Sequence, residues 1–158
     1  MNDIAQIFEN SLNKNDSIRK NAEVLLLSIK IDESFMDSIF QFIHSHNCSS
    51  TVKNAAIIFL KNYIYMYSNS TSDEAKRNPE KVLSDKSIEI FKNHVLNIIK
   101  SKSNNFKMSF IFDCIIAVYE RFNGYLLIWN TLVSDLCSIL LLDAYEISNP
   151  IYKLIAKV

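Results

Sequence analysis

Apolar residues recur every three or four positions along most of the chain, which is the spacing that one face of an α-helix produces. The pattern predicts helices over residues 4–12, 17–29, 34–43, 50–66, 85–100, 106–121, 126–142 and 150–158. Most of them begin near Ser, Asp, Asn or Pro, which favour a helix N-terminus. Residues 68–84 are polar, contain Pro79 and follow no apolar period, so we expect a mobile surface loop there.

Taken in order, the predicted helices form antiparallel pairs over residues 1–30, 33–67, 85–121 and 125–158. The pairs recur about every 40 residues, as in HEAT and armadillo arrays, where each pair buries its apolar face on its neighbours. The predicted fold class is therefore all-α. The period alone fits two architectures equally well, an α-solenoid of about four HEAT-type pairs and a globular eight-helix bundle.

The composition limits the functions that are open to such a chain. One Gly and two Pro are too few for a glycine-rich phosphate-binding loop, and also for the many turns of a β-sandwich or barrel. Lys and Arg number 17, and so do Asp and Glu, giving a formal net charge of zero, whereas nucleic-acid binders normally carry a basic excess. We therefore expect a helical protein that binds no nucleic acid.

The chain also lacks the patterns of membrane and secreted proteins. Asp113 interrupts the apolar run 110–119 and Asp143 closes the run 139–142, so none reaches the roughly 18 residues of a membrane helix. The first ten residues lack the basic start and apolar core of a secretory signal. The three cysteines are odd in number and widely spaced, which fits a reducing compartment. We expect a soluble intracellular protein without membrane insertion.

No arrangement of residues in the sequence supports catalysis or metal binding. His44 and His46 are two residues apart and would point in different directions on a helix, and His94 has no cysteine or acidic residue at ligand spacing. Cys114 and Cys137 fall in apolar stripes and are expected in the core. The chain is therefore predicted not to be an enzyme, with no catalytic residue, no metal site and no cofactor.

Two stretches resemble the first repeats of one protein superfamily. Residues 19–26, RKNAEVLL, resemble the "RKxAExxL" stretch of the first B helix in the importin-β (karyopherin-β) superfamily of nuclear transport receptors. Residues 52–62, VKNAAIIFLKN, resemble that family's "VRxxAAxxLKN" in the second repeat, and residues 129–132, WNTL, resemble the "W-x-x-L" that opens its fourth pair. The resemblance is tight over residues 16–67 and looser beyond. It implies a right-handed α-solenoid of HEAT-type helix pairs.

The resemblance also implies a function in nucleocytoplasmic protein transport, carried out in the cytoplasm, in the nucleus and at the nuclear pore. In this family the B helices of the first repeats hold the small GTPase Ran in its GTP form, and the receptors also bind cargo proteins and nucleoporins. On the helix 50–66, the side chains opposite the core stripe thereby become candidates for Ran contact: Asn54, Lys61, Asn62 and Tyr65. Asp113 and Glu120 share a polar face of the helix 106–121, where acidic charges would meet a basic partner surface.

Simpler interpretations of the same residues stay open. If the face of the helix 50–66 binds no ligand, Lys61 is simply solvated and Asn62 bonds to a neighbouring loop. Asp113 and Glu120 then belong to an ordinary solvated face of the helix 106–121. Glu23 lies opposite the core stripe of the helix 17–29 and is expected to form a cap, or an ion pair with a neighbouring repeat, rather than a ligand contact. For the whole chain, the alternative is a HEAT-repeat scaffold that binds other proteins without any dependence on a GTPase.

Overall fold

The structure is a computed structural model that describes residues 4–45, 47–67, 72–101, 108–121 and 131–142. All regular structure in these ranges is helical, which confirms the predicted all-α class. The helices are α1 (Ile4–Ser11), α2 (Asp16–Ser28), α3 (Glu33–His44), α4 (Ser50–Tyr67), α5 (Asp73–Arg77), α6 (Asp85–Lys100), α7 (Met108–Arg121) and α8 (Leu132–Leu142), with a 3-10 turn at Pro79–Lys81.

Polar side chains determine where several of these helices begin. Asn15, Asp32, Ser72 and Ser84 precede α2, α3, α5 and α6, and each accepts a hydrogen bond from a backbone N–H group of the first turn. Such a cap replaces a hydrogen bond that the helix cannot supply itself, and it stabilises the helix by about 1 kcal/mol. The caps of α3 and α6 agree with the starts that the sequence predicts, whereas α2 is capped by Asn15 and begins one residue before the predicted start.

The helices pack in a regular order. α1 contacts α2, α3 and α4, α3 contacts α6, α4 lies along α7, and α6 contacts α8. Phe8 of α1 is fully buried where three helices meet, with its ring centroid 5.9 Å from that of Phe42 on α3 and 5.6 Å from that of Phe59 on α4. Aromatic pairs at such separations add to the free energy gained from burial, so this ring anchors the first helix to the third and fourth.

The central helix α4 is buried over a wider arc than its apolar period predicts. It contacts α1, α3, α5 and α7, and the side chains on the remaining side of the helix are half-buried or exposed. The buried residues include a lysine and two tyrosines besides aliphatic side chains: Val52, Lys53, Ala56, Ile57, Leu60, Tyr63, Ile64 and Tyr67.

The helix α2 buries less than its sequence predicts. Its period puts Ile18, Ala22, Leu25, Leu26 and Ile29 on one face that should be core. In the structure Ala22 is buried, Leu26 and Ile29 are partly buried, and Ile18 and Leu25 are exposed. The physical reason is that α2 packs mainly on α1, which covers only one strip of its surface.

The segment 68–84 is not the unstructured polar loop that the sequence predicts, at least from residue 72 onward. Residues 73–77 form α5, and Pro79–Lys81 form a 3-10 turn. Ala75 and Leu83 are buried, and the N–H group of Leu83 donates to the carbonyl of Tyr67 at 3.0 Å. Two buried apolar side chains eight positions apart produce no helical period, yet together with this hydrogen bond they hold the segment against α4.

The predicted fourth pair, residues 125–158, is described only over 131–142, where α8 is found. The rest of that pair and His46 lie outside the described residues. Cys114 is buried as predicted, but Cys137 is exposed, because α8 buries Leu132 and Leu136 and Cys137 falls beside that stripe. Among the described helices, none combines the length and the apolar character needed to cross a membrane.

Candidate protein-binding surface

Helices α4 and α7 lie side by side and run in the same direction. The thiol of Cys114 on α7 donates to the backbone carbonyl of Ile57 on α4 at 3.5 Å. Further along both helices, the hydroxyl of Tyr65 donates to Oε2 of Glu120 at 2.8 Å. Contacts that advance along both helices together define a parallel pair.

Two charged side chains act on the buried thiol of Cys114 at this contact. Burial is the main cause that raises the pKa of the thiol, and the carboxylate of Asp113 raises it further, whereas the ammonium of Lys61 lowers it. Both charges therefore lie close to the line where α4 meets α7. The thiol itself stays protonated and acts as a small apolar core group.

Polar side chains line the outer edge of this contact, and we term them the α4–α7 ridge: Asn54, Lys61 and Tyr65 of α4, with Asp113 and Glu120 of α7. Helical spacing puts the three α4 residues on one face and the two α7 residues on one face. Glu120 is exposed and the other four are partly buried. Five of the six predicted contact residues therefore share one surface, which carries both charge signs in a partly desolvated setting.

Asn62 is the predicted contact residue that the structure separates from the ridge. It is exposed on the flank of α4 that faces α2, where Glu23 stands opposite it. Glu23 is an exposed side chain whose Oε1 lies 3.8 Å from Nε of Arg19 on the same helix, so its ion pair lies within α2, whereas the sequence predicts one with a neighbouring repeat.

An open groove separates α2 from this flank of α4, and we term it the α2–α4 groove. Its volume is about 330 Å³, and its lining is mostly apolar: Glu23, Leu26, Leu27, Phe59, Asn62, Tyr63, Met66 and Tyr67. The buried hydroxyl of Tyr63 accepts from the N–H group of Ile31 at 3.0 Å and donates to the carbonyl of Lys81 at 2.9 Å. Burial raises the pKa of Tyr63 to about 12, so this hydroxyl keeps its proton and can make both bonds.

A third group of polar side chains joins α3 to α6, and the sequence did not predict this contact. Nε2 of His94 lies 2.7 Å from Oδ1 of Asp37, and the His94 ring stacks on Phe40 with centroids 4.8 Å apart. The ring of His44 lies 6.1 Å from that of His94. No local motif could reveal this pair, because Asp37 and His94 are 57 residues apart and meet only when α3 packs on α6.

A buried cation stands beside this group. Lys53 of α4 has 2% of its surface exposed, and its Nζ donates to the carbonyl of Ser45, just after the C-terminus of α3. Burial lowers the pKa of Lys53. Burial also lowers the pKa of His44, and its neighbours His94 and Lys53 lower that pKa further. Over the described ranges, no three His, Cys, Asp or Glu side chains are grouped so that they could hold a metal ion.

Comparison of the chain with protein-family models, with curated proteins and with solved structures finds no match in any of the three.

Proposed function

We propose that the chain is an α-solenoid of HEAT-type helix pairs that binds another protein through the α4–α7 ridge, and that this partner is the small GTPase Ran in its GTP form. The architecture and the identity of the partner come from the sequence resemblance. The choice of the ridge is supported by one observation: five of the six residues that the resemblance points to share one partly exposed edge.

The packing order of the helices supports the solenoid. In a stacked array, the first helices of successive pairs lie on each other, and so do the second helices. Here α3 contacts α6 and α6 contacts α8, all of them first helices, while α4 lies along α7 as two parallel second helices. A right-handed array repeats this arrangement from pair to pair.

The observation that carries the binding function is the parallel α4–α7 pair with its mixed-charge ridge. Lys61, Asp113 and Glu120 stand on helices with extensive buried contacts, and the Glu120 carboxylate is also positioned by its hydrogen bond from Tyr65. Charges at the rim of an interface act mainly on the association rate and on partner choice. Tyr65, fixed by its hydrogen bond to Glu120, supplies the amphipathic contact area typical of interface hot spots.

The proposed mechanism contains no chemical step. Ran·GTP and cargo bind to one flexible superhelix, and the binding of each changes the affinity for the other, which is a coupling between sites. The resemblance implies that this coupling operates in transport between cytoplasm and nucleus.

The test is the nucleotide dependence of binding. The full chain is titrated separately with Ran loaded with a non-hydrolysable GTP analogue and with Ran·GDP, using calorimetry. Saturable binding to the GTP form, with the GDP form at least about tenfold weaker, is the expected result. Equal affinity for both forms, or no binding to either, contradicts the receptor function and favours the alternative of a HEAT-repeat scaffold that acts without a GTPase.

A further inference from the structure

The α2–α4 groove adjoins apolar side chains that α2 leaves in water. Leu27 lines the groove and has 66% of its surface exposed, and Val24, one turn earlier but outside the groove, has 65% exposed. Exposed apolar surface next to a concave apolar site is a common mark of a binding surface. This surface is distinct from the α4–α7 ridge, since it lies on the opposite flank of α4.

The dimensions of the groove fit one face of a helix. Its α4 wall runs from Phe59 to Tyr67, which is about two helical turns, or about 12 Å at 1.5 Å per residue. Its α2 wall is formed by Glu23, Leu26 and Leu27. A helical peptide presents apolar side chains at i, i+3, i+4 and i+7 over the same length, which is the recurring way that an amphipathic helix enters a groove.

The charge next to the groove favours a ligand helix with a cationic residue beside its apolar face. Among the lining residues, Glu23 carries the only formal charge. Its side chain is 55% exposed, and its neighbour Arg19 lies 3.8 Å away but bonds more closely to Asp16, at 2.6 Å. Arg19 therefore neutralises the Glu23 carboxylate only weakly. A ligand bound in the groove would exclude water from this carboxylate, so an ion pair between Glu23 and a cationic side chain of the ligand would favour binding.

A cation of the chain itself contacts two residues at the other end of the groove, although it does not line the groove. Nζ of Lys81 donates to the carbonyl of Leu27 at 2.6 Å and lies 5.6 Å from the centre of the Tyr67 ring. The two ends thus differ in sign, with the acidic group at Glu23. We infer that the α2–α4 groove binds an amphipathic helical segment of a partner protein whose apolar face fills the groove and whose Lys or Arg pairs with Glu23.

The experiment uses two synthetic helical peptides that differ only in their flanks. Both carry leucines at i, i+3, i+4 and i+7; one has lysines and the other has glutamates at the flanking positions. Each is labelled and titrated with the full chain by fluorescence anisotropy, with no Ran present, so that the outcome is independent of the function proposed above. The chain variants are Leu27→Asn, its control Val24→Asn at equal exposure, and Glu23→Gln.

The expected result has three parts. The lysine-flanked peptide binds saturably and more tightly than the glutamate-flanked one. Leu27→Asn weakens this binding about tenfold, because it removes apolar contact inside the groove, whereas Val24→Asn changes it less than about twofold. Glu23→Gln abolishes the preference for the lysine flank. Circular dichroism is expected to be unchanged in all three variants, since all three side chains are exposed.

Two outcomes overturn the inference. Equal weakening by Leu27→Asn and Val24→Asn, or no saturable binding, means that the groove is not a specific peptide site. A dimer seen by sedimentation at the same concentrations, and lost in Leu27→Asn, assigns the groove to a second copy of the chain instead.

Discussion

The hydroxyl of Tyr65 on α4 donates a 2.8 Å hydrogen bond to the carboxylate of Glu120 on α7, at the exposed edge of the contact between the two helices. Two residues earlier on the same helix, the hydroxyl of Tyr63 also bonds to distant parts of the chain, but it does so while buried. The same functional group therefore serves two purposes on one helix. At Tyr63 it satisfies backbone groups, and at Tyr65 it orients a side chain on the surface.

Removing the Tyr63 hydroxyl is expected to cost much more stability than removing that of Tyr65. Tyr63→Phe leaves the N–H group of Ile31 without its buried acceptor, so we expect a loss of about 2 kcal/mol in the free energy of unfolding. Tyr65→Phe removes a bond that water can replace, and its cost is expected to stay below about 1 kcal/mol. Urea unfolding followed by circular dichroism measures both. Similar losses for the two variants would show that the two hydroxyls do not differ in this way.

Truncating Phe8 is expected to destabilise the fold severely. The ring is fully buried between α3 and α4, so Phe8→Ala leaves a cavity and should lower the free energy of unfolding by about 3–5 kcal/mol. The control is Leu12→Ala, just after α1, where 46% of the side chain is exposed and a loss within about 0.5 kcal/mol is expected. Urea unfolding of the two variants and of the native chain measures both losses in the free energy of unfolding. A Phe8→Ala loss as small as that of the control means that α1 is not anchored in the core.

His44 is expected to make the fold less stable in acid. Because its pKa is below 6.5 in the folded chain, the unfolded chain binds this proton more tightly, and stability falls as the pH drops through 6.5 toward the folded pKa. Above pH 6.5 the full stability is present. The native chain should therefore lose more stability between about pH 7.5 and about pH 5.5 than the variant His44→Gln. An equal loss in both proteins would mean that His44 does not contribute.

The apolar period predicts the helices well, because it records a local property of the chain. The boundaries of α2, α3, α4 and α6 agree with it to within about two residues. The period does not show how many neighbours a helix has. It therefore gives the same kind of core stripe to α4, which contacts four helices, and to α2, which packs mainly on α1 and leaves Ile18 and Leu25 exposed.

The residues of the candidate site also fall into those that helical spacing predicts and those that depend on tertiary packing. Helical spacing alone places Asn54, Lys61 and Tyr65 on one face of α4, but it cannot say that Asn62 faces α2 instead of α7. The pairs Tyr65–Glu120 and Asp37–His94 join residues 55 and 57 positions apart. Such contacts depend on which helices stack together, and no local sequence pattern encodes that choice.

Reversing the charge of Lys61 is expected to weaken partner binding without unfolding the chain. Lys61 is partly buried on the ridge, and its ammonium lowers the pKa of the nearby Cys114 thiol, so the positive charge lies near the α4–α7 contact. Lys61→Glu adds a third carboxylate beside Asp113 and Glu120, and under the function proposed above it should weaken binding to Ran·GTP about tenfold. The control Lys86→Glu makes the same change of charge at an exposed position on α6 and should alter binding less than about twofold. Titrations at low and high salt measure both, and the difference between them should shrink as salt screens the ridge. Equal affinities of the two variants at low salt would place the partner elsewhere on the chain.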